Sequence, residues 1–310
     1  MPDRMIHVLD SASLFQEACL KLTEDKILAV DCEGLNLGRN GTLDIISVFS
    51  TSRLELFLFD ITSVGSQGFD NGLRDLFENP LITKLMFDCR QDTDALYHIF
   101  GVNIDGLVDV QLMDVFHSLN KQPKDRLPAR SAPNYWSEVD KSITRVRGLG
   151  ACIQTILGNE DVQTEKRNVQ VMMQSQPQNI WCIRPLPKTL ADYCLEDVKY
   201  LFDLYYMYMS YGVCIEKVKS ASIRYRDYIK AIPKTDNISK FVCGHNLLPH
   251  NILEVEPYLG QGTQCKGCFK RFNAREFKKD LGSSKRFCRV CRKLDSRPKS
   301  NHRHRPCNGS

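Results

Sequence analysis

The order of apolar and polar blocks predicts strands in the N-terminal part of the chain. A helical pattern over residues 11–22 leads into an apolar run at 27–33, which predicts a buried strand. Residues 43–49 and 54–60 predict two more strands, with a tight hairpin turn at Asn40-Gly41. Three strands in succession are expected to form an antiparallel meander.

Helices and short strands alternate in the part of the chain that follows. The predicted helices cover residues 72–79, 92–100, 188–209 and 213–229, and the predicted short strands cover 84–87 and 107–110. A meander followed by such alternation indicates an α/β or α+β domain with a mixed sheet.

Length and charge divide the chain into two unequal parts. A chain of 310 residues suggests about two domains. Residues 262–310 hold 15 lysines and arginines against three acidic residues, a balance of +12, so the net charge of +5 leaves −7 for residues 1–261. A basic segment of this kind indicates a polyanionic partner, nucleic acid before an anionic membrane, although a solvated charged surface is the alternative.

Four regions are predicted from these patterns. We expect a main domain at residues 1–212, a helix and linker at 213–263, a small cysteine-rich domain at 264–293 and a basic disordered tail at 294–310. The sequence has no run of about 20 apolar residues, and its first ten residues lack a basic segment leading into an apolar run. We therefore expect a protein without a membrane span, located in the nucleus or the cytoplasm.

Three acidic blocks offer groups that could hold a metal ion. Asp31 and Glu33 are two residues apart on a predicted strand, so their side chains share one face. Two like charges on one face favour a compensating cation, and carboxylate oxygens suit Mg²⁺ or Mn²⁺. The alternative is a solvent-exposed strand end.

The other two blocks are ambiguous when each is taken alone. Asp92 and Asp94 lie where a helix begins, so either could simply cap that helix. Tyr193 and Asp197 lie one turn apart on a predicted helix and are therefore neighbours on one face. A phenol beside a carboxylate can orient a water molecule, or it can pack on the core with its hydroxyl group bonded to Asp197.

Taken together, these blocks match the motifs of a known family. The chain resembles the ribonuclease D-like 3′-5′ exonucleases of the subclass defined by four acidic residues and one tyrosine, the DEDD superfamily's tyrosine subclass. Residues 28–33 are similar to its first motif, Asp92 to its second, and Tyr193 with Asp197 to its third. The segments at 181–186 and 148–149 also resemble the family. Position 192, five residues before Asp197, is an aspartate and not a histidine, so the chain fits the tyrosine subclass and not the histidine subclass.

Within this family, the branch of exonuclease-domain-containing and egalitarian-like proteins is the most similar. The residues that indicate this branch are Glu33, Gly34, Asn36, Arg39 and Gly41. Some members of the branch have lost acidic residues and act as scaffolds, whereas this chain keeps all four acids and the tyrosine. Phe87 differs from the residue often found before the second motif, and Asp88 and Asp94 compete with Asp92 as the second-motif ligand.

The resemblance implies a fold and a reaction. The implied fold is ribonuclease H-like, a mixed five-stranded sheet flanked by helices. The implied activity is metal-dependent 3′-5′ exonucleolytic hydrolysis of single-stranded RNA or DNA with a free 3′ end, with RNA preferred. Asp31, Glu33, Asp92 and Asp197 would hold two Mg²⁺ or Mn²⁺ ions, and Tyr193 would orient the water. The alternative function is a catalytically silent nucleic-acid-binding adaptor in an RNA-processing or small-RNA pathway.

Two CxxC pairs near the C-terminus predict a zinc finger with a structural ion. Their spacing fits four cysteine ligands around one Zn²⁺ ion, and so small a unit needs the ion to fold. The four predicted ligands are Cys265, Cys268, Cys288 and Cys291. The alternative is four free or redox-active thiols. A second metal site from Cys243, His245, His250, His302, His304 and Cys307 has irregular spacing.

Basic residues around these cysteines and in an earlier loop are predicted to contact nucleic acid. Lysines and arginines attract phosphates, whereas interleaved phenylalanines either stack on bases or pack around the zinc site. A protein-docking role for the cysteine-rich domain is the rival interpretation. The predicted contacts are Lys141, Arg145, Arg147, Lys270, Arg271, Lys278, Lys279, Lys285 and Arg286, and the phenylalanines are Phe269, Phe272, Phe277 and Phe287.

The proline-containing segment 121–147 carries a net charge of +4 and lacks regular periodicity. We predict a loop that guides the nucleic-acid backbone, with Tyr135-Trp136 as an aromatic stacking platform. An insertion without a role is the alternative.

Overall fold

The structure is a computed structural model that describes residues 5–120, 143–159, 169, 171–172, 178–233, 245–249, 252–253, 262–273, 276–277 and 286–296. Several predictions lie outside these residues. They include the contacts at Lys141, Lys278, Lys279 and Lys285, the aromatic pair Tyr135-Trp136, the tail beyond residue 296, and most of the second set of metal ligands.

A six-stranded mixed sheet lies at the centre of the chain. Its strands, in the spatial order β1-β4-β3-β2-β5-β6, are β1 Met5–Leu9, β2 Ile27–Glu33, β3 Ile45–Ser50, β4 Glu55–Asp60, β5 Thr83–Met86 and β6 Leu107–Asp109. Strands β2, β3 and β4 form the predicted antiparallel meander, while β1, β5 and β6 are parallel to their neighbours. The predicted fold class is therefore confirmed.

The sheet has one strand more than the five implied by the resemblance. The additional strand is β1, which pairs in parallel with β4 at the edge of the sheet. Of its five residues only Leu9 is buried. Because a half-exposed edge strand leaves little hydrophobic pattern, the sequence alone does not predict it.

Helices cover the sheet. They are α1 Ala12–Leu22, α2 Ile61–Val64, α3 Arg74–Glu78, α4 Arg90–Phe100, α5 Val110–Asn120, α6 Leu149–Cys152, α7 Lys188–Val198, α8 Leu201–Ser210 and α9 Ile215–Lys230. Short π-helical turns at Phe69–Leu73 and Ile153–Leu157 precede α3 and follow α6. None of the helices in the described residues is long and apolar enough to cross a membrane.

The connection between β2 and β3 is longer than predicted. Glu33 pairs with Ile45, so residues 34–44 form an eleven-residue loop, and the expected two-residue turn at Asn40-Gly41 is wrong. The Gly41 amide instead donates to the Gly38 carbonyl oxygen at 3.0 Å, inside that loop. A Cβ atom at Gly41 would lie 2.0 Å from the carbonyl oxygen of Asn36, so this close approach requires glycine.

Helix α9 and part of the region after it pack on the same body as the sheet. Ala221 and Tyr225 of α9 are fully buried, and the helix contacts α4 and β6. Further along, the Val146 amide donates to Asn246 and the Leu248 amide donates to Thr144, at 3.0 and 2.9 Å. The described residues of 213–253 thus belong to the same body as the sheet; the body here means residues 5–120 and the described residues of 143–253.

A small second unit contains the CxxC pairs. We call it the four-cysteine module: residues 262–273, 276–277 and 286–296. Strands β7 Thr263–Gln264 and β8 Arg271–Phe272 pair antiparallel, and helix α10 spans Arg289–Asp295. Its buried side chains other than cysteine include Phe272, Phe277, Val290 and Leu294.

Candidate active site

Three carboxylates from distant parts of the sequence converge at the end of strand β2. One oxygen each of Asp31, Glu33 and Asp197 lie within 4.8 Å of one another. Glu33 is buried and the other two are half-buried. Three carboxylates this close repel one another, and hard oxygen ligands are what Mg²⁺ and Mn²⁺ prefer, so these residues fit a divalent cation.

Local structure explains this convergence. Strand periodicity places Asp31 and Glu33 on the same face of β2, while β2 itself is held between β3 and β5. Helix α7 packs on β2 and β3 and brings Asp197 to that face. The interpretation of Asp31 and Glu33 as an exposed strand end therefore does not fit their burial.

Asp92 lies beside this group but is held differently. It stands in the first turn of α4, and its Oδ1 accepts a hydrogen bond from the Cys32 amide at 3.0 Å. Burial raises the pKa of the Asp92 carboxyl to about 7, and the nearby Asp88 carboxylate acts in the same direction. The side chain thus lies against the residue between Asp31 and Glu33, but it is not a member of the three-carboxylate group.

The two carboxylates that compete with Asp92 have arginine partners. Asp88 accepts from Arg90 at 2.5 Å, and Asp94 accepts from Arg39 at 2.6 Å. All four side chains are at most 14% exposed. The charges of Asp88 and Asp94 are therefore paired with arginines, whereas Asp92 faces β2 through the Cys32 amide.

Tyr193 completes the arrangement. It lies one helical turn from Asp197, as predicted, and its ring is 5.9 Å from that of Trp181. Burial raises the pKa of the Tyr193 phenol well above its ordinary value, and the carboxylates of Asp197 and Glu33 raise it further. The hydroxyl group therefore stays protonated at neutral pH and can donate a hydrogen bond.

Two buried carboxylates that the motifs do not include shape the surroundings. The first is Asp109, at the end of β6, which accepts from the amides of Asp88, Cys89 and Gln111 at 3.2, 3.0 and 2.9 Å. It thereby fixes the turn that leads into α4 and Asp92. An acidic residue at the end of a short, otherwise apolar strand is the signal that could have found it.

The second of these buried carboxylates is Asp44, which fixes the end of the loop after β2 by accepting hydrogen bonds. Its Oδ2 accepts from the Thr42 hydroxyl at 2.6 Å and from the Asn179 side-chain Nδ2 at 2.7 Å, and its Oδ1 accepts from the Thr62 hydroxyl at 3.2 Å. Asn179 belongs to the segment that precedes α7. Asp44 thus ties the end of the loop to the part of the chain that carries Tyr193 and Asp197.

Comparison with known proteins identifies the body. The profile of the 3′-5′ exonuclease family matches residues 6–208, more than half of the chain. The chain belongs to the 3′-5′ exonuclease family. This membership agrees with the resemblance seen in the acidic motifs. The family profile covers residues 6–208 of the body, and the whole body, including helix α9, is called the exonuclease domain from here on.

Similar proteins extend this comparison. The mouse piRNA biogenesis protein EXD1 is 32% identical over 190 residues, which are 61% of this chain and 30% of the mouse protein. The chain therefore spans about a third of the length of that relative. RNase D of Trypanosoma brucei superposes with a TM-score of 0.65 at 22% identity, covering 87% of each chain, and its complex with RNA U12 does so with 0.63 at 23%, covering 87% and 84%. At this identity the likeness shows an RNase D-like fold.

Two of the predicted phosphate contacts in the segment 121–147, Arg145 and Arg147, differ from each other in their surroundings. Arg145 is exposed, and its backbone forms a bridge with Leu247. The Arg147 guanidinium pairs with Asp114, a side chain only 3% exposed, which also accepts from the Tyr208 hydroxyl at 2.9 Å. Arg147 thus has an ion-pair partner inside the domain, whereas Arg145 faces solvent.

The predicted contacts in the four-cysteine module also divide into two kinds. Arg286 is exposed, and Arg271 is exposed while donating to the Gly262 carbonyl oxygen at 2.9 Å. Lys270 instead lies over the ring of Tyr228 in α9, with its ammonium nitrogen 4.3 Å from the ring centroid. Burial lowers the pKa of Lys270 to about 8. Lys270 is therefore part of the contact between module and exonuclease domain.

The four cysteines of the module fit a zinc ion. One sulfur each of Cys265, Cys268, Cys288 and Cys291 lie within 4.8 Å of one another, and all four residues are buried. The amides of Gly267 and Cys288 donate to the Cys265 sulfur at 3.3 and 3.2 Å, which favours a thiolate. Four buried sulfur ligands match a closed structural Zn²⁺ site.

The phenylalanines of the module are mostly internal. Phe272 and Phe277 are buried, and Phe269 and Phe287 are half-buried. Phe272 and Phe277 therefore pack inside the module, as the alternative to base stacking predicts.

Proposed function

We propose that this protein is a metal-dependent 3′-5′ exonuclease that hydrolyses single-stranded nucleic acid and prefers RNA. The observation that carries the proposal is the convergence of Asp31, Glu33 and Asp197 beside the protonated phenol of Tyr193. Membership of the 3′-5′ exonuclease family supplies the direction of hydrolysis.

Each side chain has a distinct task in this proposal. Asp31, Glu33, Asp92 and Asp197 would hold two Mg²⁺ or Mn²⁺ ions, which supply charge neutralisation, an activated water and stabilisation of the leaving oxygen. Tyr193 donates a hydrogen bond that orients the attacking water. The Cys32 amide holds Asp92 against β2, so that the acid stays next to Asp31.

RNA is the favoured substrate because of the relatives. The superposed Trypanosoma structure is a complex with RNA, and the mouse relative is named for piRNA biogenesis. The excess of lysine and arginine in residues 262–310 also supplies attraction for a phosphate backbone. We further propose that Zn²⁺ binds the four cysteines as a structural ion.

The test is a nuclease assay on 5′-labelled single-stranded RNA and DNA with Mg²⁺ or Mn²⁺. We expect a ladder that shortens from the 3′ end with the wild-type chain and its loss with Asp31→Asn. The matched control is Asp203→Asn, which removes the charge of an exposed carboxylate on α8. Equal rates for the wild type and Asp31→Asn would overturn the assignment.

The second candidate is the silent adaptor. The mouse relative's name refers to a pathway and not to hydrolysis, which keeps this interpretation worth testing. Binding of single-stranded RNA without any ladder, in both Mg²⁺ and Mn²⁺, would favour the adaptor. Binding of a partner protein to the full chain would then be measured to test docking through the four-cysteine module.

A further inference from the structure

Arg39 joins the loop after Glu33 to two helices. Its guanidinium binds both oxygens of Asp94 in α4, with the closest contact at 2.6 Å, and its amide donates to Asp94 at 2.7 Å. It also donates to the carbonyl oxygen of Ile229 at 2.7 Å and to that of Ile232. Arg39 thus donates to one carbonyl group in the last turn of α9 and to one just after the helix ends.

The loop itself is fitted closely to α4. Gly38 adopts a positive φ of 127°, and a Cβ atom there would lie 2.8 Å from Gln91 and 3.3 Å from Asp94. The amide of Leu35 donates to Thr42 at 2.8 Å, which closes the loop on itself. The loop thus follows Glu33 directly and is anchored through Arg39, whose side chain is only 12% exposed.

The four-cysteine module is seated on the same end of α9. Tyr228 directly precedes Ile229 and is 3% exposed, with Lys270 of the module over its ring. Burial raises the pKa of the Tyr228 phenol, and the module's cysteines are close enough to raise it further. The same end of α9 therefore contacts both the module and Arg39.

We propose that Arg39 is a positioning residue that couples seating of the four-cysteine module on α9 to the divalent-cation affinity of the site at Glu33. This inference rests on the proposed function and concerns regulation of that same site. When the module is seated, the end of α9 is ordered and its carbonyl groups hold Arg39. When the module leaves, the end of α9 frays, Arg39 loses two of its partners, and the loop after Glu33 loosens.

The expected size follows from comparable metal sites. Groups that orient metal ligands typically change metal affinity by about 10- to 100-fold when mutated. We expect Arg39→Ala to weaken Mn²⁺ binding by about 10-fold, and Arg39→Lys to have a smaller effect because an ammonium group can still pair with Asp94. Tyr228→Ala should weaken Mn²⁺ binding in the same direction although it changes no residue near the carboxylates.

The experiment is a Mn²⁺ titration of the full chain followed by electron paramagnetic resonance. Arg74→Ala is the matched control, because Arg74 donates to the Gly101 and Phe100 carbonyl oxygens, both at 3.0 Å, at the other end of α4. Zinc content and melting temperature are measured on every variant. A wild-type chain that binds no Mn²⁺ would refute the proposed function itself.

A double-mutant cycle tests the coupling. If the module acts through Arg39, Tyr228→Ala should weaken Mn²⁺ binding in the wild-type background and have little further effect in the Arg39→Ala background. Should Arg39→Ala fail to fold, the cycle is run with Arg39→Lys. Unchanged Mn²⁺ affinity in Arg39→Ala, or additive effects of the two changes, would overturn the coupling while leaving the nuclease assignment intact.

Discussion

The candidate active site and the four-cysteine module both gather metal-binding side chains, but they differ in what holds those side chains in place. Asp31 and Glu33 project from a strand inside a six-stranded sheet with a large buried core. The cysteines of the module are themselves a large part of its buried interior. The oxygen site is therefore carried by a fold that has a large apolar core of its own, whereas the sulfur site lies at the centre of the small module that contains it.

The largest expected effect comes from mutating one predicted metal ligand in the four-cysteine module and one in the candidate active site. Cys288→Ser should abolish binding of about one zinc ion per chain and make the module sensitive to protease, because zinc binding supplies most of the folding energy of so small a unit. Asp31→Asn should leave the melting temperature of the ion-free protein unchanged or higher, since it relieves repulsion among carboxylates.

Zinc content by mass spectrometry, limited proteolysis and thermal melting measure these outcomes. Cys214→Ser is the matched control, because Cys214 is an exposed thiol outside the module. A Cys288→Ser protein whose module resists protease as well as wild type would show that the module, like the exonuclease domain, folds without its ion.

The next effect concerns chemistry in the exonuclease domain. Tyr193→Phe removes only the hydroxyl group, and we expect kcat to fall by about 100-fold while Mn²⁺ affinity stays unchanged, because the role proposed for the phenol is to orient water and Tyr193 is not among the converging carboxylates. Tyr206→Phe, on an exposed tyrosine of α8, is the control. An equal loss of Mn²⁺ affinity would make Tyr193 part of the cation site.

Features that depend on residues close together in the sequence could be predicted, whereas features that depend on contacts between distant residues could not. Strand and helix periodicity were enough to place Asp31 with Glu33 and Tyr193 with Asp197, because each pair lies within one element. The two-residue turn at Asn40-Gly41 was wrong because the loop is held by distant groups, Asp94 above all.

The surroundings of the basic residues show the same limit. Lys270 has the composition signal of a phosphate contact, yet it lies over Tyr228, which is 42 positions earlier in the chain. No local pattern could report that the module rests on α9. Asp44 escapes prediction for a related reason, since its hydrogen bonds to Thr62 and Asn179 join segments that meet only in the folded domain.

A smaller effect tests whether a basic residue of the exonuclease domain serves the fold or the substrate. Arg147→Ala should lower the free energy of unfolding by about 2 kcal/mol, because it leaves the buried Asp114 carboxylate without its cation. The neighbouring Arg145→Ala should change stability by less than about 0.5 kcal/mol, since that side chain is exposed.

Urea unfolding measures the stabilities, and the salt dependence of RNA binding is measured in parallel. We expect Arg145→Ala to flatten the salt dependence, as loss of a phosphate contact does. If Arg147→Ala flattens it equally without loss of stability, the pairing with Asp114 is not the residue's main role, and Arg147 belongs with the substrate contacts.

The smallest effect is a pH dependence that belongs to the exonuclease domain alone. Lys84 in β5 is fully buried, and its ammonium group donates to the Asn79 carbonyl oxygen at 2.6 Å. Burial lowers the pKa of Lys84 to about 8, below the value of about 10.4 expected in the unfolded chain. Between these values the unfolded state binds more protons, so the contribution of Lys84 to stability increases as pH rises.

Relative to Lys84→Met, the free energy of unfolding of the wild type should increase by about 1 kcal/mol between about pH 8 and pH 9. Urea unfolding at both pH values measures this gain, with the exposed Lys26→Met as the control. A constant difference between wild type and Lys84→Met across this range would mean that Lys84 keeps its charge in the folded domain, so that the carbonyl groups around it offset its burial.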